Sequence, residues 1–269
     1  MTLLSDQAED IRALVESADP GAVWAVGGPE GVHAASTGRP AEPAADPTAA
    51  PPAAGDGGAD SGDLDVGGLA TVLALWPALG SLVADGALHL HTPLTAYGDT
   101  ASAPGTTAHH LLTHPEGTAA LTRLAETLAG TSLAELAATR VWQPLGMTRT
   151  RFADGTLRAP LADLVRFPCH LLAPDGPGIA PAWTAESLRI RTGELVPARG
   201  LLWHPAPHGV WAHHAPAPEA PALWVAPRLR RWALLLPASA PTPTPTPTPL
   251  STPLRTAFRE AAFSPPPPG

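Results

Sequence analysis

Apolar residues recur along the chain in two periods, and the change of period divides it. Over residues 6–17, Ile11, Leu14 and Val15 share one face of a helix that Ser5 caps and acidic residues open. Asp19-Pro20-Gly21 stops it. AVWAV (22–26) then reads as a strand, GGPEG as a turn and VHAAS (32–36) as the antiparallel partner. In DVGGLATVLALWPALGSLVADG, Leu69, Val72, Leu73, Trp76, Leu79 and Val83 keep helical spacing, while Leu75 and Leu82 fill another face. A helix that is apolar nearly all round belongs at the centre of a fold. Pro77 must kink it or divide it, and Asp85-Gly86 closes it.

Short helices are expected at HHLLTH (109–114) and at 121–128, the second ending at Gly130. Ser132 to Glu135 forms a capping box that opens a helix to about Arg140, with QPLGM as a tight exit. Residues 161–172 follow, with Leu161, Leu164, Phe167 and Leu171 on one face. The period then shortens. GLLWH, GVWAHH, ALWVAP and RRWALLLP are strand-like runs separated by Pro and Gly. LRTAFREAAF is a terminal amphipathic helix. This order predicts an α+β fold: one antiparallel sheet flanked by the terminal helices, with a helical lobe inserted. The expected division is a single domain over 1–263. Its sheet lobe comprises 1–45 and 177–263, and its helical lobe 63–176. A Pro/Ala/Gly loop spans 38–62, PTPTPTPTP (241–249) is an extended spacer, and 264–269 is a disordered tail.

Composition narrows the chemistry. The chain has 269 residues, a hydrophobic content of 44% and a formal charge of −8, which argues against nucleic acid or an anionic membrane as partner. No apolar run approaches the roughly 20 residues that span a bilayer, and the acidic N-terminus does not read as a signal peptide. The lone Cys169 fits a reducing compartment, so the expected location is the cytoplasm. There is no lysine and no asparagine, and Tyr97 is the only tyrosine. Any mechanism that needs a lysine is closed to this chain's own residues.

Several stretches together resemble the serine β-lactamase and penicillin-binding-protein superfamily, nearest its class C β-lactamase and esterase branch. They are PGAVWAV, LDVGGLATVLALWPALGSLVADGALHLHTPLTAY, HHLLTH, SLAELAATRVWQPLGMTRTRF, LADLVRF, GLLW and ALWVAP, in the family's order. The resemblance implies a β-lactamase/transpeptidase-like fold and acyl transfer through a covalent acyl-serine. The family's S-x-x-K motif begins the central helix, with serine as nucleophile and lysine one turn on to take its proton. Aligned without gaps, the serine position falls on Gly68 and the lysine position on Thr71. The family's Y-x-N motif is missing, because His114-Pro115-Glu116-Gly117 runs almost directly into the next helix. The H-x-G motif survives in part, with His213 at the histidine and Ala215 at the glycine. Pro216, Pro218 and Pro221 stand where backbone N–H donors are expected.

The resemblance therefore implies a degenerate member that is catalytically inactive: a binding or regulatory protein, or a decaying relic, whose cleft, if kept, takes a small molecule or a peptide end. His114, Trp203 and Trp211 are candidate linings. The competing reading is an active hydrolase with a displaced nucleophile, Ser61, and a histidine such as His213 as base. A third is a scaffold that binds through its Pro-rich tracts. Ser81 lies inside the helix and reads as locally bonded. Among the 11 histidines, His110 and His114 share a helix face, yet no H-E-x-x-H or Cys/His cluster appears, so no metal and no cofactor are expected.

Overall fold

The structure, a computed structural model, describes residues 5–37, 62–114, 117–174, 176–193, 197–214, 220–238 and 253–264. The predicted 38–62 loop, 241–249 spacer and 264–269 tail fall almost wholly outside these residues.

Helix α1 (Ser5–Ala18) leads into strands β1 (Val23–Gly28) and β2 (Gly31–Ser36). A short strand β3 (Asp63–Asp65) precedes the central helix, whose regular part is α2 (Trp76–Ala84). Helices α3 (Ala108–Thr113), α4 (Thr118–Ala129) and α5 (Leu133–Ala137) follow, then β4 (Arg151–Ala153) and β5 (Thr156–Pro160). Helices α6 (Leu161–Leu164), α7 (Arg166–Leu172) and α8 (Pro181–Ser187) complete the helical layer. Strands β6 (His204–Ala206), β7 (Val210–His214), β8 (Ala222–Ala226) and β9 (Arg231–Leu236) lead to α9 (Leu254–Phe263).

Six strands form one antiparallel sheet in the order β2-β1-β9-β8-β7-β6. The terminal segments thus meet at its centre, where β1, β8 and β9 are buried on both faces. Alternation sorts their side chains into two cores. Trp24, Val26, Trp224 and Leu235 pack on Ile11 and Val15 of α1 and Phe258 and Phe263 of α9. Val23, Ala25, Val225, Trp232 and Leu234 face the helical layer. The predicted α+β architecture is the observed one.

Two features depart from the sequence reading. Strands β3, β5 and β4 form a second antiparallel sheet of three strands, none of them predicted. They are three to five residues long, too short for alternation to declare them. GLLWH is not a strand, since β6 begins only at His204. Leu202 adopts φ 64°, a left-handed conformation incompatible with an extended run.

The central helix opens with a 3₁₀ turn (Gly67–Leu69), passes through a π turn (Thr71–Leu75) and becomes α-helical at Trp76. Residues 72–80 are buried throughout, as an all-round apolar pattern requires. The division falls where Pro77 predicted it. Proline cannot donate to the Leu73 carbonyl four residues earlier, and the Trp142 indole N–H bonds that carbonyl instead, at 2.8 Å. Trp183 Nε1 donates to the Trp76 carbonyl at 3.1 Å, and Trp76 Nε1 donates to Ser187 Oγ at 2.9 Å. Ser81 Oγ donates to the Ala78 carbonyl at 2.7 Å, the local bond expected of it. Of the predicted capping box, Ser132 Oγ accepts from Glu135 N at 3.2 Å, while the Glu135 carboxylate turns to the Thr131 hydroxyl.

Candidate functional site

The mouth of the central helix, the end of α3, the segment 199–203 and the β6–β7 hairpin enclose a cavity of about 390 Å³. Gly68, Thr71, His114, Trp203 and His213 all line it, so the fold gathers these five sequence-chosen residues around one space. Trp211 is a correction: its ring lines a separate groove with Leu171, Pro181 and Leu188. Ser61 and Ala215 lie outside the described residues, as do Pro216 and Pro218.

Gly68 sits against β8's lead-in. A Cβ placed on it would fall 3.0 Å from Pro221 Cδ and 3.4 Å from Cγ. A side chain at this position would therefore press on the proline ring, which must give by a few tenths of an ångström. Thr71, one turn further in, and Thr118, at the start of α4, supply the cavity's hydroxyls. Among the described lining residues there is no serine, cysteine or carboxylate.

His213 faces the helical layer from β7 and is 7% exposed. Its Nδ1 lies 2.8 Å from the Leu202 carbonyl, an acceptor only. The proton therefore sits on Nδ1, and Nε2 carries a lone pair. Burial pushes this imidazole down to about 4. The ring packs edge-on to Trp203 at 6.1 Å, and Trp203 in turn edge-on to Trp76 at 5.7 Å.

Sequence reasoning missed Arg199, His204 and His214, which line the same cavity. Arg199 Nη1 donates to His204 Nε2 at 2.8 Å. The His204 proton must then sit on Nδ1, a buried atom with no partner among the described residues. Burial, then the charge of Arg199, holds this imidazole down to about 4. The rings of His204 and His214 stack with centroids 5.4 Å apart. The signal was the hairpin register: His204 pairs with Ala212 across the Pro207–Gly209 turn, which places it diagonal to His214. Drawing the strand as GLLWH concealed that register.

His110 and His114 stack on each other with centroids 4.1 Å apart, and His114 Nδ1 donates to the His110 carbonyl at 2.8 Å. Among the described residues, no group of three or more His, Cys, Asp or Glu side chains is placed to hold a metal ion. Cys169 approaches the Gly28 carbonyl at 3.3 Å, and burial raises its thiol's pKa, which keeps it protonated and inert.

The two depressed imidazoles predict an acid-sensitive fold. Folded, both stay neutral to about pH 4, whereas unfolded they take up protons below about pH 6.5. Between those limits the unfolded chain binds more protons, so stability is full above 6.5 and falls as pH drops toward 4. For the buried His213 the loss is about 3 kcal/mol. Urea unfolding at pH 7 and at pH 4.5 measures it. His213→Gln should lose distinctly less stability between the two pH values than the parent, and an equal loss would contradict the assignment.

Neither the family models nor the curated proteins yield a match. Among solved structures the chain is similar to a β-lactamase from Mycobacterium bovis, with 20% identity over 86% of this chain and 91% of that one and a TM-score of 0.62. It is also similar to a class C β-lactamase from Rhodobacter sphaeroides, with 12% identity over 96% and 98% of the two chains and a TM-score of 0.66. A penicillin-binding protein homologue from Pyrococcus abyssi matches at 14% identity over 87% and 73%, with a TM-score of 0.63. The chain shares its fold with these β-lactamases and this penicillin-binding protein homologue. Among its described residues no helix is long and apolar enough to cross a membrane.

Proposed function

We propose that this protein keeps the cleft of a β-lactamase-fold serine hydrolase without the acyl-serine chemistry, and that it acts as a binding or regulatory protein for a small molecule or a peptide end. The observation that carries this reading is Gly68, with no side chain to attack and the Pro221 ring tight against the place a Cβ would take. Thr71 one turn on has a hydroxyl but no basic amine, and the chain contains no lysine to replace it. His213 is a poor general base, because a group whose pKa is about 4 gains little by accepting a proton at neutral pH.

What remains suits recognition. The Arg199 guanidinium donates, the His213 Nε2 lone pair accepts, two threonine hydroxyls do either, and Trp203 supplies an apolar wall. Such a set holds a ligand that carries both donors and acceptors and leaves its bonds unbroken.

A fluorophosphonate probe tests the reading, together with turnover of a chromogenic cephalosporin and a nitrophenyl ester. The pure protein should take up no label and turn over neither substrate above background. Labelling that Ser61→Ala abolishes would refute the reading in favour of a displaced nucleophile.

A further inference from the structure

A second pocket lies behind the wall of the cleft. It holds about 230 Å³ between α2, α8 and residues 90–91, and none of its described lining residues is shared with the cleft. Gly200 and Leu202 face the cleft, while Leu201 between them faces this pocket. Its walls are apolar: Val83, Leu90, Ala180, Trp183 and Leu201.

The walls are set in place before any ligand arrives. Trp183 lies flat on the central helix because position 80 is glycine; a Cβ there would fall 2.4 Å from the indole. The indole N–H is tied to the Trp76 carbonyl. An aromatic wall clamped at both face and edge does not collapse into the space beside it. Apolar surface held open to water is costly, and pre-formed pockets of this kind are typical of ligand sites.

The mouth of the pocket is polar. His91 and His109 stack there with centroids 4.7 Å apart. Arg191 is anchored by two guanidinium bonds to the Glu186 carbonyl, at 3.0 and 3.2 Å, and by its backbone N–H to the Arg199 carbonyl at 2.7 Å. Among the described lining residues the one carboxylate is Glu186, which pairs with Arg191 and, outside the pocket, with Arg189. Burial, then the neighbouring His91 and Arg191, pushes the His109 imidazole below its ordinary range. An anion at this mouth would relieve that repulsion.

We propose that this pocket is a binding site, separate from the cleft, for a small carboxylic acid with a compact aryl or branched-acyl body. The body occupies the apolar chamber, and the carboxylate meets Arg191 and the two imidazoles. An apolar cavity of about 150 Å³ accepts a benzene ring, so this one admits a phenyl group with a short methylene link.

Calorimetric titration of the full chain with 3-phenylpropanoate and with 3-phenylpropan-1-ol tests the proposal. The acid should bind saturably at one site, roughly tenfold tighter than the alcohol, as a charge-assisted contact requires. Ala182→Trp, at an exposed rim position, should abolish binding by filling the mouth, and Arg191→Gln should reduce the acid to the affinity of the alcohol. Thr71→Phe, which fills the cleft, should leave the acid's binding unchanged. The proposal is overturned if the acid does not saturate, if acid and alcohol bind alike, or if Thr71→Phe removes binding while Ala182→Trp does not.

Discussion

Restoring the two missing groups, by Gly68→Ser together with Thr71→Lys, is expected to give a protein that a fluorophosphonate labels only slowly, and adding Pro221→Ala should raise the labelling rate about tenfold. A serine Cβ at position 68 would lie 3.0 Å from the Pro221 ring, closer than ordinary van der Waals contact. Either the ring or the start of the helix must give by a few tenths of an ångström to admit it, and a nucleophile held that far from its attack geometry loses roughly one order of magnitude in rate, about 1.4 kcal/mol of barrier. Alanine at 221 removes the obstructing Cγ and Cδ atoms. Labelling rates of the double and triple variants, each measured beside the parent, decide the matter. Equal rates would mean that Pro221 does not obstruct the position.

The second large effect concerns Trp203, which is fully buried between the central helix and the cleft. Trp203→Ala should cost about 4 kcal/mol, from lost apolar burial and the void left beside Trp76 and His213. Trp203→Phe should cost only about 1 kcal/mol. The reason is specific: the indole N–H is buried with no partner among the described residues, so phenylalanine gives up ring area and no hydrogen bond. Trp142 is the opposite case, because its N–H bonds the carbonyl that Pro77 leaves free. Urea unfolding of the Ala and Phe variants measures the difference. A Phe variant as unstable as the Ala variant would contradict it.

Long periodic segments declared themselves in the chain. The runs at 6–17 and 254–263, and the apolar stretch around Trp76, all became helices near the expected bounds. ALWVAP and RRWALLLP became the central strands, because a doubly buried strand needs an unbroken apolar run. Three-residue strands and the helix at Pro181–Ser187 were hidden, since so few residues complete no period. At the site, Gly68, Thr71 and His213 were legible through the resemblance. Arg199, His204 and His214 were not, because only a strand register brings them to the same cavity.

The amino-acid sequence by itself determined which chemistry is possible, because side-chain groups are covalent facts. A chain without lysine, and with glycine at the head of its central helix, lacks those reactive atoms in any conformation. Only the tertiary structure decided how the remaining groups are arranged and charged. Pro221 is distant from Gly68 in sequence, and the sheet brings them into contact. His213 and His204 are ordinary imidazoles until folding removes their water and holds them neutral. Proximity and desolvation are properties of the packed chain, and they follow from distances that no local pattern encodes.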